Sequence, residues 1–346
     1  MAYSHLLDTC RRDLLLSGKS VCVFSRPWSR LSPRNVAGYP LSMNGPYARM
    51  LLHSYFFSLA SKTSARDILL EYMHAWWCKV FEVMQPTIVI AIEPDQSLCA
   101  AGKKLGVQIY DLQHGILEFG DYYFNLRAGA LFEKSGTPDL MICWNQASAD
   151  LVSRYWPWVR TLVTGNLWQQ RFLAPRRDQL VIDELKVVRE KLKKNPGRSW
   201  VLLTMQWSPL DDDLNVPLAV KDAITISIRQ GVQWLIRFHP VQVKRIGHSR
   251  LCKLAEIYFG KSTWDNIVDV SSCALPAVLP FTRYHVTGSS ASTFEASCVG
   301  IKTGLWDHRK DVANWFHDLI EAGLVEFLPD SGFDAASKII NESLVS

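Results

Sequence analysis

The strongest constraint on the fold is an alternation, met twice along the chain, between short β-branched apolar runs and helix-length segments. The first such run, Thr87-Ile88-Val89-Ile90-Ala91-Ile92, is apolar at nearly every position. A strand of that kind is buried on both faces, as in a parallel sheet covered by helices. Residues 95–104 then read as a helix closed by Gly106, and Val107-Gln108-Ile109-Tyr110-Asp111 as a second strand, completing a βαβ unit. A strand at 139–144, a helix at 147–156 and a strand at 161–164 continue the series, and residues 64–85 ahead of it carry a helical period that Pro86 stops.

After a charged helical stretch at 173–199, the alternation restarts. Strands are expected at 200–204, 233–237, 267–270, 284–287 and 301–305, with helices at 219–229, 250–259, 275–279 and 293–299 between them. The 346 residues exceed the ~100–200 of one domain. The expectation is therefore an α/β protein of two Rossmann-like domains, 1–172 and 173–346, facing across a cleft that holds the site.

Thirty-eight basic and thirty-three acidic side chains leave a net charge of +5, which suits anionic substrates but falls short of a nucleic-acid-binding surface. The eight cysteines contain no C-x-x-C pair, which points to reduced thiols in a cytoplasmic protein. Arg11, Arg12 and Asp13 interrupt the N-terminal stretch before any signal-peptide core, and no run approaches the ~20 apolar residues that span a bilayer. Membrane contact is thus expected only as peripheral attachment to the inner face. The clusters Trp76-Trp77 and Tyr155-Trp156-Pro157-Trp158 read first as core, then as sugar-stacking or interfacial surfaces.

Ligands of open parallel sheets collect beyond the carboxyl ends of the strands. Three polar segments occupy such ends: Gln113-His114-Gly115, Arg237-Phe238-His239-Pro240, and the run from Thr287 through Gly288, Ser289, Ser290, Ser292 and Thr293 to Glu295. The last is a hydroxyl-rich turn that can offer donors to a phosphate on a positive helix end, with Gly288 admitting close backbone approach. Glu295, one turn into the helix, suits a pair of ribose hydroxyls. The competing structural reading makes Ser292 and Glu295 an S-x-x-E capping box. Thr204, ending its own strand, is expected among the nucleotide contacts.

His239 can donate to a diphosphate or, protonated, neutralise charge on a leaving group, while Pro240 ends its strand and Arg237 shares its face. His114, as a neutral imidazole, can take a proton from an acceptor hydroxyl. Glu118 and Asp121 lie close enough in sequence to orient it or to act as the base themselves. Asp211-Asp212-Asp213 reads as a loop between Pro209 and Pro217 rather than a metal site, because no further ligand spacing supports one. Zinc, G-x-S-x-G and Walker A patterns are absent, which argues against metallohydrolase, serine hydrolase and P-loop ATPase chemistry.

Taken in order, Tyr110-Asp111-Leu112-Gln113-His114-Gly115, residues 139–144, Thr164-Gly165-Asn166, residues 237–240, and residues 287–295 with Gly300 resemble bacterial surface-polysaccharide transferases of the GT-B fold. The likeness is to the group containing the CDP-glycerol glycerophosphotransferases and the capsular sialic-acid and Kdo transferases. Residues 287–300 are also similar to the diphosphate loop of UDP-sugar GT-B enzymes and of the non-hydrolysing UDP-N-acetylglucosamine 2-epimerase. The resemblance implies His114 for acceptor activation, His239 for the donor phosphate, Ser289 and Ser290 for phosphate, and Glu295 for ribose. Gln113 and Thr287-Gly288 depart from the glycerophosphotransferase pattern, which favours a sugar donor over glycerol phosphate.

The expected function is inverting transfer of a sugar from a CMP- or UDP-linked nucleotide-sugar donor to a glycan or lipid-linked acceptor, with no cofactor or metal. The alternatives are a nucleotide-sugar epimerase or hydrolase, which needs further acid/base carboxylates, and a non-catalytic GT-B-like glycan-binding module.

Overall fold

The computed structural model describes residues 5–25, 41–61, 63–115, 117, 133–173, 178–193, 200–206, 214 and 216–344. The chain divides into two compact units, Met1–Gln170 and Arg171–Ser346. Glu118, Asp121 and the Asp211-Asp212-Asp213 triplet lie outside the described residues.

In the first unit, β1 (Phe24–Ser25) pairs with β2 (Leu41–Ser42). A separate parallel sheet consists of β3 (Ile88–Ala91), β4 (Gln108–Leu112), β5 (Leu140–Cys143) and β6 (Arg160–Val163), in that order. Side chains fix where the helices begin. Ser64 Oγ accepts from Asp67 N (3.1 Å), Asp95 Oδ1 from Leu98 N (2.9 Å) and Asn145 Oδ1 from Ser148 N (2.8 Å), each satisfying an amide that a helix start leaves unpaired. Helices Ala65–Met84, Gln96–Leu105 and Gln146–Tyr155 follow these caps, and Gly106 closes the second at φ 72°. Trp77, Phe81, Cys99 and Ile109 share one core cluster, and Trp156 belongs to a second with Met141 and Cys143. Trp158 stays exposed, its Nε1 donating to Thr137 Oγ1 (2.9 Å).

The second unit carries β7 (Trp200–Thr204), β8 (Gln233–Arg237), β9 (Ile267–Asp269), β10 (Thr282–Thr287), β11 (Lys302–Leu305) and β12 (Val325–Phe327). All pairings are parallel, in the order β9-β8-β7-β10-β11-β12. That is the dinucleotide-fold order, in which the chain winds outward from β7 first to one side and then to the other. The reversal point therefore lies between β7 and β10. Val201, Leu203, Trp234, Ile236, Tyr284 and Val286 form the core on one face of the sheet, and Trp234 Nε1 donates to the buried Ser227 Oγ (3.0 Å).

The architecture is thus α/β, with Rossmann-like parallel sheets. β12 and helix Gly332–Leu344 extend it past residue 305, where the apolar alternation fades. No helix among the described residues is long and apolar enough to cross a membrane.

Gly102 lets helix Gln96–Leu105 lie against β4. A Cβ there would stand 2.6 Å from Ile109 Cγ1 and 2.8 Å from the carbonyl oxygen of Val107. Backbone cannot yield as a side-chain tip does, so the overpacking cost exceeds the ~1 kcal/mol that alanine gains over glycine in a helix. Gly102→Ala is expected to lower the unfolding free energy by about 1–3 kcal/mol in urea denaturation.

Candidate functional site

The carboxyl ends of β7 and β10 meet in a buried hydrogen-bond network. Thr204 Oγ1 lies 2.9 Å from each of His285 Nε2, Thr287 Oγ1 and Ser292 Oγ. Thr287 Oγ1 in turn donates to the carbonyl oxygen of Thr204 (3.0 Å), and Ser292 Oγ to Ser290 Oγ (2.9 Å). His285, within β10, completes the set through Nδ1, 3.0 Å from Thr303 Oγ1 on β11. It has 0% exposure, and burial pulls its pKa down to about 3, so the ring is neutral. Sequence reading passed over His285 because a histidine inside an apolar strand carries no positional signal.

The network redefines the serine loop. The helix expected at 293–299 spans Ser292–Ser297, its N-cap is Ala291 in the αR region, and no side chain caps it. Ser292 is therefore the first helical residue and not the capping residue, and the S-x-x-E box expected with Glu295 does not form. Six residues also give too short a helix for a developed dipole, so donors to an anion must come from side chains and loop amides. A Cβ on Gly288 would stand 3.0 Å from Gln206 Cγ and 3.1 Å from Trp306 Nε1, which accounts for a glycine at that position. Ser289 Oγ accepts from Arg309 Nη2 (3.3 Å), a cation that sequence reading did not select because it follows β11 by four residues.

A capping box is present elsewhere. Backbone N of Val241 donates to His239 Nδ1 (3.2 Å), and His239 N donates to Gln242 Oε1 (3.0 Å), so His239 caps helix Pro240–Ile246. Pro240 opens that helix instead of ending β8, which stops at Arg237. Burial, and then the charge of Arg237, lower the His239 pKa. With Nδ1 accepting, the neutral ring carries its proton on Nε2. A neutral ring can donate a hydrogen bond through Nε2, the first of the two roles expected of it.

Arg237 and Glu295 sense each other electrostatically. Burial pushes the Glu295 pKa up to about 7, against the opposing charge of Arg237, and burial lowers the pKa of Arg237, with Glu295 and Cys273 opposing. Among the described residues of the second unit, three buried polar atoms have no hydrogen-bond partner: Gln206 Nε2 just past β7, Arg237 Nε at the end of β8, and the fully enclosed Thr293 Oγ1. An unsatisfied buried polar group costs about 1–3 kcal/mol, so each marks a place for water or a ligand.

In the first unit, Gln113 is locked in place. Its Nε2 donates to Gly115 O (2.9 Å) and Ser148 Oγ (3.0 Å), and its Oε1 accepts from Trp144 N (2.7 Å). His114 follows it and is exposed, with Nε2 3.5 Å from Glu93 Oε1. Glu93 has φ 49°, a left-handed conformation costly for a non-glycine residue, and its N–H donates to the buried Asp111 Oδ1 (2.9 Å). The carboxylate beside His114 thus comes from the end of β3. Glu118 and Asp121, expected near His114 on sequence proximity, lie outside the described residues.

No protein-family model and no curated protein sequence matches the chain. Solved structures do. A Methanocaldococcus jannaschii UDP-GlcNAc 2-epimerase, in complex with UDP-GlcNAc and UDP, superposes with TM-score 0.55 at 12% identity, covering 99% of this chain and 90% of that one. A Neisseria meningitidis UDP-GlcNAc 2-epimerase bound to UDP-GlcNAc gives 0.52 at 11%, covering 79% and 72%. The wall teichoic acid polymerase TagF gives 0.50 at 16%, covering 74% and 63%. At such identities the likeness is one of fold, the Rossmann-like parallel-sheet architecture of GT-B-like enzymes.

The raised pKa of Glu295 has a definite sign. As pH rises from ~4.5 toward 7 the unfolded chain releases this proton first, so folding loses stability across that window and the full penalty holds above it. Glu295→Gln is expected to gain on the wild type by on the order of 2 kcal/mol between pH 5 and pH 8, measured by urea unfolding at both values. A pH-independent difference would show that the carboxyl is not buried as described.

Proposed function

We propose that the protein transfers a sugar from a nucleotide-sugar donor, bound at the β7–β10 reversal point, to a hydroxyl acceptor. The observation that carries this reading is the pair of unpartnered buried donors, Gln206 Nε2 and Arg237 Nε, beside a neutral histidine at the carboxyl ends of a dinucleotide-type sheet. Strand ends at a reversal point are where such sheets hold nucleotides. Arg237 and the Nε2–H of His239 suit the diphosphate. Arg309 and Ser289 add a second cation and hydroxyl, and Glu295 accepts from ribose. Thr204, Thr287 and Ser292 support the loop from beneath, since their hydroxyls already serve one another.

For transfer, His114 takes the acceptor proton through Nδ1 while Glu93 holds its Nε2–H and stabilises the imidazolium that forms. The acceptor is a glycan or a lipid-linked saccharide, reached from the inner membrane face, and neither a cofactor nor a metal is required for this chemistry.

The Glu93 carboxylate also supports a second reading, an epimerase or hydrolase of the nucleotide sugar, because such a reaction needs an acid/base carboxylate of its own. Incubating the protein with UDP- and CMP-sugars, with and without saccharide acceptors, separates the two. Acceptor-dependent release of nucleotide supports transfer, whereas conversion of the donor alone supports the epimerase. A melting temperature unmoved by any nucleotide or nucleotide sugar would remove the donor site altogether.

Two substitutions test the assigned roles. His239→Ala should abolish the thermal shift given by the donor. Glu93→Gln should keep that shift and lower kcat by on the order of 10²-fold, through loss of the group that holds the base. Equal losses of donor binding in both variants would contradict this division of labour.

A further inference from the structure

Away from the residues assigned to the donor, helix His248–Phe259 and the end of β9 bring a histidine, a cysteine and an aspartate together. His248 and Cys252 stand at i and i+4 and so share one helix face. His248 Nε2 lies 3.8 Å from Cys252 Sγ and 2.5 Å from Asp269 Oδ2, and one atom from each of the three residues falls within 4.8 Å of the others.

Zinc–ligand bonds of ~2.0–2.3 Å arranged tetrahedrally put ligand atoms about 3.3–3.6 Å apart. The sulfur edge is already close to that spacing. The His–Asp edge must open by roughly 1 Å, within reach of a small rotation of His248, whose side chain is 46% exposed. Asp269 is held for coordination through one oxygen: its Oδ1 accepts from Ser271 N (2.8 Å) and Ser271 Oγ (2.5 Å), which aims Oδ2 at His248. Its main-chain carbonyl is anchored by Lys191 Nζ (3.0 Å). A thiolate beside an imidazole and one carboxylate oxygen selects zinc-class cations over magnesium or calcium, which prefer all-oxygen shells.

We propose that His248, Cys252 and Asp269 form a three-ligand site for a zinc-class divalent cation, with the fourth position open to solvent. Occupancy braces the segment that carries His239. Ser271 Oγ accepts from Phe238 N (2.8 Å), and the Phe238 ring meets His248 edge-on at 6.3 Å between centroids. Two of the three ligands are thereby connected to the residue next to His239. The site stands independently of the donor reading, because nothing in it requires a nucleotide.

The test uses the full chain, stripped with chelator and titrated with Co²⁺ and with Zn²⁺ in competition with a chromophoric chelator, without nucleotide. The expected result is one Zn²⁺ per chain and, with Co²⁺, a thiolate-to-cobalt charge-transfer band that Cys252→Ser removes. His248→Ala should weaken Zn²⁺ binding about tenfold or more, with circular dichroism of both variants matching the wild type. A wild type that fails to retain Zn²⁺ against the chelator overturns the proposal, and this arm needs no variant to fold. A cobalt band that persists in Cys252→Ser overturns it as well, because the thiolate ligand is then another of the eight cysteines.

Discussion

The second unit depends on the hydroxyl of Thr204. It sits where the sheet reverses direction, and through His285, Thr287 and Ser292 it ties β7 to β10 and to the helix that follows β10. Fully enclosed polar groups are tolerable only when paired, and here each hydroxyl finds its partner in another member of the set. The result is a hydrogen-bonded floor at the point where the sheet reverses direction. A hydrophobic replacement for Thr204 would remove one hydrogen bond from each of three partners at once, which ties the conformation of the serine loop to this residue.

The same floor distinguishes atoms that hold the site from atoms that can serve a ligand. Thr204, Thr287 and Ser292 each have one hydroxyl hydrogen, and protein acceptors surround it. Gln206 and Arg237 sit at the same strand ends with an unpaired N–H apiece. Burial acts on the two carboxyl and imidazole groups nearby in the same sense, raising Glu295 to about 7 and keeping His239 neutral, so the region favours uncharged forms except at Arg237. An incoming diphosphate would reverse that balance by pairing the guanidinium. Binding of the proposed donor and protonation of Glu295 would thereby be linked, since both act on the charge of Arg237.

The strands were legible because buried parallel strands are written as apolar runs, and Ile88–Ala91, Trp200–Thr204 and Gln233–Arg237 stand within a residue or two of where periodicity puts them. β1 and β2 were not, because two residues are too few for a pattern, and β12 lies beyond residue 305, where the apolar alternation fades. At the candidate site, residue types at strand ends drew attention to three segments, but the local hydrogen bonding of those segments differs from the motif reading. The capping box falls on His239 and Gln242, where the sequence offers an unusual histidine cap, and not on Ser292 and Glu295, where the formal motif stands. Glu93 escaped notice because it lies twenty-one residues from His114 in the chain, a separation that only the pairing of β3 with β4 closes.

The histidine cap also constrains the chemistry. Because His239 Nδ1 is committed to the amide of Val241, the ring cannot take a proton there without losing the hydrogen bond by which it caps helix Pro240–Ile246. Protonation would therefore be opposed by burial, by the charge of Arg237 and by the cap together. In the proposed transfer, the positive charge that a leaving diphosphate needs would then come from the arginines, with His239 contributing a directed hydrogen bond. That arrangement keeps His239 neutral across the pH range in which an unperturbed histidine would titrate, and it leaves Glu295, raised to about 7, as the group of the proposed donor site whose charge changes there.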